Sequence, residues 1–158
     1  MIFVTVGAQM HFDRLIQAVD DWAAERGRTD VIAQVGPSEY TARCIETVRS
    51  LDPAAFRAHA ERATALVAHA GMGTIITALE LGKPLLVFPR DFARRETRND
   101  HQVATARHFA SSGRVLAAFD EPELRRRLDE VESFGPSSRI GREASQELVA
   151  RIRAFVGD

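Results

Sequence analysis

Short apolar runs recur along the chain between residues 1 and 120. They contain mostly β-branched residues, leucine and alanine, and they are IFVTV (2–6), VIAQV (31–35), ALVAH (65–69), LLVFP (85–89) and VLAAF (115–119). Runs of this length are typical of strands that are buried on both faces of a parallel sheet. The pattern therefore predicts five strands, and it leaves the segment 44–48 ambiguous.

Between these runs, apolar residues fall at helical spacing. On the first segment the residues that share one face are Phe12, Leu15, Ile16, Val19 and Trp22. The predicted helices cover residues 12–24, 53–63, 74–82, 101–112, 121–131 and 139–155. Strands that alternate with helices of about ten to fifteen residues indicate parallel βαβ units. We therefore predict a single α/β domain over residues 1–158, built on a doubly wound parallel sheet.

The last predicted helix carries an apolar stripe. Its members are Ile140, Ala144, Leu148, Ile152 and Phe155. A stripe of this kind packs either on the core of its own domain or on the surface of a partner protein. Core packing is the commoner case, and both interpretations stay open.

Composition narrows the classes of function. The chain has 158 residues, of which 45% are hydrophobic and 27% charged, and its formal net charge is −1 at pH 7. This charge argues against nucleic acid as the main partner, because no excess of cations is available to replace counterions on phosphates. The single cysteine, Cys44, excludes an internal disulfide framework and a multi-thiolate metal site, which fits a reducing compartment. No apolar run reaches the ~18 residues of a membrane span and the start lacks the basic segment of a signal peptide, so we expect a cytoplasmic protein.

Three features follow predicted strands, at the edge where sheets of this type bind ligands. They are GAQ (7–9), HAGMGT (69–74) and the polar stretch 90–102. In the second feature, Gly71 and Gly73 let the backbone approach a bulky anion, and the helix that follows presents free N–H groups. A phosphate would fit there, with Thr74 adding a hydroxyl. The alternative is an ordinary tight turn from strand to helix.

His69 and Glu80 extend this candidate phosphate site. His69 ends a strand, where it donates either to a phosphate or sugar oxygen or to the local backbone. Glu80 lies two helical turns further on, and two turns span about 10 Å, which is comparable to the distance from a diphosphate to its ribose. Its carboxylate would then accept from both ribose hydroxyls. The alternative is a place on the solvent-facing stripe of the helix.

A polar cluster made of Asn99, Asp100, His101 and Gln102 opens the next helix. Amides, carboxylates and imidazoles match the hydroxyls of a sugar, which both donate and accept. Asn99 or Asp100 would equally serve as a helix cap, and the two roles are compatible. The arginines that precede the cluster either neutralise a diphosphate or an acidic sugar, or are solvated; they are Arg90, Arg94, Arg95 and Arg98.

Four segments taken together match one known family in the same order. They are MIFVTVGAQMHFDRLIQAVD, QVGPSEY, HAGMGTIITALELGKPLLVFPR and NDHQVATA. With them the chain resembles the C-terminal, donor-binding half of GT-B glycosyltransferases, in particular the glycosyltransferase family 28 C-terminal domain. It is similar to small stand-alone members of that family. These are the catalytic subunit of the eukaryotic two-subunit N-acetylglucosaminyltransferase that acts on dolichol-linked sugar, and bacterial exopolysaccharide or capsule glycosyltransferase subunits.

The resemblance implies one Rossmann-like domain whose donor substrate is a UDP-sugar, with no cofactor and no metal. It implies diphosphate contacts at Gly7, His69, Gly71, Gly73 and Thr74, a ribose contact at Glu80, and donor-sugar contacts at Asn99, His101 and Gln102. Without a metal, the helix N-terminus would stabilise the departing diphosphate. Met72 stands where the family commonly has a smaller residue between the two glycines.

The resemblance also implies a partner, because a GT-B enzyme closes two domains around its substrates. The missing half would be a membrane-anchored subunit that binds a lipid-linked saccharide acceptor and supplies the general base, so no catalytic residue is assigned in this chain. We expect a catalytic donor-binding subunit of an inverting glycosyltransferase for exopolysaccharide, capsule or related glycan synthesis. It would be inactive alone and held at the inner face of the membrane by its partner.

Two other functions are compatible with the same residues. One is a UDP-sugar-binding regulatory module, which would bind the nucleotide but support no transfer with any partner. The other is a fragment of a sugar-nucleotide epimerase. Full epimerases of this fold carry both domains in one chain. The sequence starts at MIFVTVG like a natural N-terminus, so we expect that it is not a truncated epimerase.

Overall fold

In a computed structural model of the chain, which describes residues 1–135, six parallel strands form one sheet. The strands are β1 (Ile2–Thr5), β2 (Val31–Gln34), β3 (Glu46–Val48), β4 (Ala65–Ala68), β5 (Leu85–Val87) and β6 (Leu116–Ala117). Their order across the sheet is β3-β2-β1-β4-β5-β6. This is the order of doubly wound dinucleotide-binding folds, and the predicted Rossmann-like α/β fold is confirmed.

Helices cover both faces of the sheet. They are α1 (Asp13–Arg26), α2 (Pro53–Arg62), α3 (Met72–Leu81), α4 (His101–Ser111) and α5 (Glu121–Glu130), followed by a short 3-10 turn at Val131–Ser133. Apolar residues of α1 and α5 pack in one core, and those of α2, α3 and α4 pack in the other. Because successive strand residues point to opposite faces, Val4 enters the first core and Phe3 the second. This explains why the strands are apolar throughout.

The ambiguous segment 44–48 contains β3, which pairs with β2 at the edge of the sheet. Glu46 and Thr47 are exposed there. An edge strand with solvent-facing side chains lacks the continuous apolar run that marks the central strands. The central strands end earlier than predicted. Val6, Val35 and Phe88 lie beyond the strand ends and are nevertheless buried, so their apolar side chains made the predicted strands too long. The predicted helix 139–155 and its apolar stripe lie outside the described residues.

Three helices, α1, α3 and α4, begin at the carboxyl edge of the sheet without a hydrogen bond from the side chain of the N-cap residue. Gly71, the N-cap of α3, has no side chain. The side chain of Asp100, the N-cap of α4, does not bond the first turn, although Asn99 Oδ1 accepts from the backbone N–H of His101. By contrast, Asp52 caps α2 through a hydrogen bond from Ala55 N at 2.8 Å. The N–H groups of the first turn of α3, and those of α4 after His101, therefore remain available at the edge where ligands of this fold bind. Among residues 1–135, no helix combines the length and the apolar character that a membrane span requires.

Candidate functional site

A cleft of about 480 Å³ opens at the carboxyl edge of the sheet. Its lining residues come from the loop after β1, the end of β4 and the segment from β5 to α4. They are Val6, Gly7, Ala8, Gln9, Met10, His69, Arg90, Thr97, Arg98, Asn99 and Gln102. The volume lies within the range of ~300–1,000 Å³ that is typical of small-molecule sites.

Four of the predicted site residues, namely Gly7, His69, Asn99 and Gln102, line this cleft. The remaining predicted residues are outside the lining; they are Gly71, Gly73, Thr74, Glu80 and His101. Of these, Gly71, Gly73 and Thr74 form the start of α3, directly after His69. The structure thus brings the sugar and diphosphate candidates to one edge and leaves Glu80 apart from them.

The side chain of His69 lies between two glycines. A Cβ atom on Gly7 would lie 2.8 Å from His69 Cε1, and one on Gly71 would lie 2.2 Å from His69 Nε2. Gly7 also has a φ of 79°, in the left-handed region that side chains disfavour. A Cβ atom on Gly73 would meet nothing within 4 Å. Packing against His69 therefore explains Gly7 and Gly71, whereas no contact within residues 1–135 requires a glycine at position 73.

His69 is held as a neutral imidazole at pH 7. Its burial, followed by the positive charge of Arg90, lowers the pKa of His69 from 6.5 to about 4. Its Nδ1 atom is buried and has no hydrogen-bond partner within residues 1–135. A neutral imidazole can donate from one ring nitrogen and accept at the other. His69 is therefore suited to hydrogen bonding in the cleft rather than to supplying a positive charge.

The start of α3 supplies the positive potential instead. The backbone N–H of Gly71 donates to the carbonyl of His69 at 2.8 Å, which turns the chain sharply into the helix. The N–H groups of the first turn, at Met72, Gly73 and Thr74, have no acceptor within the helix and carry a partial positive charge. Such a helix start binds phosphate and other anions.

Glu80 lies near the end of α3 and is 51% exposed. Its Oε2 atom is 3.8 Å from Nη1 of Arg57, which belongs to α2. The carboxylate is thus in a weak surface pair, which is the solvent-facing alternative considered from the sequence. A contact from Glu80 to a ribose stays a prediction.

The polar cluster at the start of α4 contains residues that line the cleft and a residue that bonds the first turn of the helix, which are the two roles considered from the sequence. Asn99 lines the cleft, and its Oδ1 atom also accepts from the backbone N–H of His101 at 3.2 Å. Gln102 accepts at Oε1 from the backbone N–H of Arg90 at 3.1 Å. This bond leaves the amide nitrogen of Gln102 to donate in the cleft. His101 is exposed at the first position of α4.

Arg90 has a function that the sequence did not reveal. Its side chain is buried, and its two Nη atoms donate to the backbone carbonyls of Val6, Met10, His11 and Glu96 at 2.5 to 3.3 Å. Burial lowers the pKa of this guanidinium. Arg90 is therefore engaged with the protein backbone rather than free for a diphosphate. The only sequence signal was an arginine that directly follows a buried strand.

Arg98 differs from Arg90, because it is exposed at the cleft and forms no ion pair within residues 1–135. None of the lining residues is an aspartate or a glutamate. A cleft that contains an unpaired cation and no carboxylate favours an anionic ligand. The sequence left the arginines of this loop open between anion binding and solvation, and the structure separates Arg98 from Arg90.

A second groove of about 550 Å³ lies beside α1 and includes Arg14, Arg94, Glu96 and Glu121. Most of its charges are paired. Arg14 Nε donates to Glu96 Oε1 at 2.8 Å, for example. These pairs leave less net potential for a ligand than the cleft has. In the part of the chain that the structure describes, no three His, Cys, Asp or Glu side chains are grouped as a metal site would require.

Solved structures with the same fold were found at low sequence identity. The solution NMR structure of ALG13 has a TM-score of 0.65 at 19% identity, and the match covers 93% of each chain. The crystal structure of MurG from Acinetobacter baumannii has a TM-score of 0.62 at 14% identity, covering 84% of this chain and 42% of that one. A putative UDP-N-acetylglucosamine 2-epimerase from Listeria monocytogenes has a TM-score of 0.61 at 14% identity, covering 89% and 40%. At these identities the likeness is one of fold alone.

The family itself comes from the sequence. A search of curated proteins finds no match. The model of the glycosyltransferase family 28 C-terminal domain, however, matches residues 1–151. Because this match covers nearly the whole sequence, the chain belongs to the glycosyltransferase family 28 C-terminal domain family.

Proposed function

We propose that this chain is the donor-binding catalytic subunit of a two-component inverting glycosyltransferase that uses a UDP-sugar. The observation that carries the proposal is the cleft beside the start of α3. Its lining holds an unpaired arginine, a neutral histidine and no carboxylate, in a chain of the family 28 C-terminal domain. This set of groups fits a ligand with a diphosphate at one end and hydroxyls at the other.

Within this proposal the diphosphate lies against Gly7, His69 and the first turn of α3, which includes Gly71, Gly73 and Thr74. The backbone N–H groups of that turn offset its negative charge, so no metal is required. Asn99, His101 and Gln102 contact the donor sugar. Glu80 accepts from the ribose hydroxyls, for which it exchanges its surface pair with Arg57.

The reaction is a displacement at the anomeric carbon. A hydroxyl oxygen of the acceptor forms the new bond to that carbon while the bond from the carbon to the diphosphate oxygen breaks. UDP leaves with the electron pair, and its developing charge is stabilised by the start of α3. The hydroxyl proton passes to a general base, which we assign to the partner subunit. The anomeric configuration is inverted because the attack comes from the face opposite to the leaving group.

The partner in this proposal is a membrane-anchored subunit that binds a lipid-linked saccharide. The chain spans about two-fifths of the MurG and epimerase structures that it matches, whereas it spans 93% of ALG13. In this proposal the acceptor-binding half of the enzyme is supplied by a second chain. We assign the pair to exopolysaccharide, capsule or related glycan synthesis at the inner face of the membrane.

Calorimetric titration of the purified chain tests donor binding. The ligands are UDP, UDP-glucose, UDP-glucuronate, UDP-N-acetylglucosamine and UDP-galactose without added metal, with NAD as the control. Selective binding of uridine nucleotides is expected, because the start of α3 offers N–H groups to the diphosphate and the start of α4 offers hydrogen bonds to the sugar. Binding of NAD with equal affinity would contradict a donor site.

A transfer assay separates the catalytic subunit from a regulatory module that binds the same nucleotide. The chain is co-expressed with a candidate membrane-anchored acceptor-binding subunit, and transfer from a labelled UDP-sugar to membrane lipid is measured. If the chain is the catalytic subunit, transfer is expected with both chains together and with neither chain alone. Nucleotide binding together with no transfer by the pair would favour the regulatory module.

A further inference from the structure

The cleft has two walls that come from separate parts of the chain. One wall is the loop 6–10 after β1, and the other is the segment 97–102 before and within α4. No strand pairing joins them, since β1 and β5 are separated in the sheet by β4. The width of the cleft therefore depends on contacts between side chains and loop backbone.

Arg90 makes those contacts to both sides. Nη2 donates to the carbonyls of Val6 and Met10, both at 2.7 Å, and these belong to the first wall. Nη1 donates to the carbonyl of Glu96 at 3.3 Å, directly before the second wall. The backbone N–H of Arg90 donates to Gln102 Oε1 at 3.1 Å, within the second wall. One residue is thus bonded to both loops.

The arrangement requires a guanidinium group. Its planar fork presents separate N–H groups in fixed directions, whereas an ammonium group offers one point of charge on a flexible stem. The side chain of Arg90 is only 3% exposed, and the guanidinium carbon lies 4.8 Å from the centre of the Phe12 ring. The carboxylate of Glu96 is already engaged by Arg14 and by the backbone N–H of Asp91. Within the described part of the chain, all the hydrogen bonds of the Arg90 side chain go to backbone carbonyls.

We infer that Arg90 is a positioning residue that holds the two walls of the cleft at the separation that a nucleotide requires. This inference rests on the proposed function, because it assumes that the cleft binds a nucleoside diphosphate. Arg90 touches no substrate in this role. It acts through the loop that carries Gly7 and through Gln102.

Binding of UDP by folded variants tests the inference. Arg90→Lys retains the charge but cannot reach four carbonyls, and Arg90→Ala removes both. Arg94→Ala is the matched control, since Arg94 is 55% exposed on the same loop, pairs with Asp91 and Glu121, and does not line the cleft. Both Arg90 variants should bind UDP about 10- to 100-fold more weakly, the loss expected when a site is misplaced by a fraction of an ångström to 1 Å. The control should stay within about twofold of the wild type, because exposed pairs contribute little.

Chemical rescue separates positioning from a general loss of stability. Guanidinium chloride, at a concentration where circular dichroism shows the protein fully folded, should restore part of the UDP affinity of Arg90→Ala. Sodium chloride at the same ionic strength should not. A folded Arg90→Lys protein that binds UDP as tightly as the wild type would overturn the inference.

The wild-type protein supplies a measurement that does not depend on the variants folding. In NMR spectra, the Nη hydrogens of Arg90 should exchange slowly with water, and UDP should shift the backbone amides of both walls together. Freely exchanging Nη hydrogens would overturn the inference even if neither variant folds. If the wild type binds no uridine nucleotide, the proposed function fails, while slow exchange of Arg90 would still show the contact between the walls.

Discussion

The fit of one imidazole between two glycine backbones shapes the cleft at the scale of single residues. His69 contacts the positions where Gly7 and Gly71 would carry a Cβ atom, and burial keeps its ring neutral. The same residue types that suggested phosphate binding from the sequence thus also have a packing function. The two functions are compatible, because a ring fixed in this way is preorganised for a ligand.

Gly71→Ala should disturb the cleft, whereas Gly73→Ala should not. The new Cβ at position 71 would lie 2.2 Å from His69 Nε2, so the ring has to move, and we expect a loss of about 1 to 3 kcal/mol in the free energy of unfolding. At position 73 the new Cβ meets nothing within 4 Å, and alanine is favoured over glycine in a helix by up to about 1 kcal/mol. Urea unfolding measures both. Equal losses for the two variants would contradict the packing role of Gly71.

Burial of His69 should make the protein sensitive to mild acid. The pKa of His69 is about 4 in the folded protein, against 6.5 for an ordinary histidine. Between these two values the unfolded chain binds more protons than the folded one, so the free energy of unfolding should fall as the pH falls from about 6.5 to about 4. His69→Gln should flatten that slope in urea unfolding measured at a series of pH values. His108→Gln, at an exposed position of α4, is the control for the loss of one imidazole, and a slope that flattens equally in both variants would contradict the role of His69.

Glu80→Ala tests the ribose contact that the sequence predicts. If the carboxylate accepts from the ribose, UDP and the UDP-sugar should both bind more weakly by about 1 to 3 kcal/mol, the range for hydrogen bonds to a charged group. Arg57→Ala removes the surface partner of Glu80 together with the pair between Arg57 and Glu61, leaves the carboxylate of Glu80 in place, and should leave binding unchanged. Calorimetry compares the two. If Glu80→Ala binds UDP with unchanged affinity, Glu80 makes no contact with the ribose and is an ordinary surface residue.

At the scale of the elements, buried polar side chains fix the loops on which the sheet edge depends. Asp20 on α1 is fully buried and accepts from Tyr40 Oη and from the backbone N–H groups of Arg43, Cys44 and Ile45. These bonds hold the segment that leads into β3. Burial opposes the ionisation of Asp20, but the hydrogen bonds outweigh it and lower the pKa of this carboxyl.

Asp20→Asn should destabilise the protein much more than Asp21→Asn. An asparagine at position 20 has one acceptor oxygen and points an NH₂ group at backbone donors, so we expect a loss on the order of 2 kcal/mol or more. Asp21 makes partly exposed pairs with Arg43 and Arg125, for which about 0 to 1 kcal/mol is typical. Urea unfolding at pH 7 measures both. Because the pKa of Asp20 is lowered, its contribution is present above about pH 4 and lost below it, so the two variants should become more alike in stability in strong acid.

At the scale of the whole molecule, the two cores lie on opposite faces of one sheet, and the cleft lies at its carboxyl edge. Trp22, the single tryptophan, packs in the core of α1 and α5, and its Nε1 atom donates to Asp129 Oδ1 at 2.9 Å. It is outside the lining of the cleft. Its fluorescence therefore reports the unfolding of the sheet rather than the occupancy of the site.

Binding of UDP should stabilise the entire sheet. With UDP at one hundred times its dissociation constant, the free energy of unfolding should rise by about 2.7 kcal/mol. Urea unfolding followed by Trp22 fluorescence, with ADP as the control nucleotide, measures this effect. A midpoint that stays constant under saturating UDP would contradict cooperative unfolding of the cleft with the core.

The sequence predicted the edge of the sheet at which the cleft lies, because the ends of strands are a local signal. The edge that carries Gly7, His69, Asn99 and Gln102 follows from strand ends in a parallel sheet. The position of Glu80 does not follow in the same way, since a helical pattern among so many apolar neighbours leaves its direction open. Arg90 shows the opposite case: a cation in a charged loop reads as solvated, and only the carbonyls of distant segments make it a buried contact.

By itself, the sequence determined the α/β class, the helices within residues 1–135, the central strands and the edge of the sheet at which several of the candidate residues gather. These depend on the spacing of apolar residues and on turn-forming glycines, which are properties of short segments. The tertiary structure decided the strand order, the edge strand β3, the neutral state of His69, and the role of Arg90 between the two walls. Those features depend on burial and on contacts between residues far apart in the chain, for which a single sequence carries no local signal.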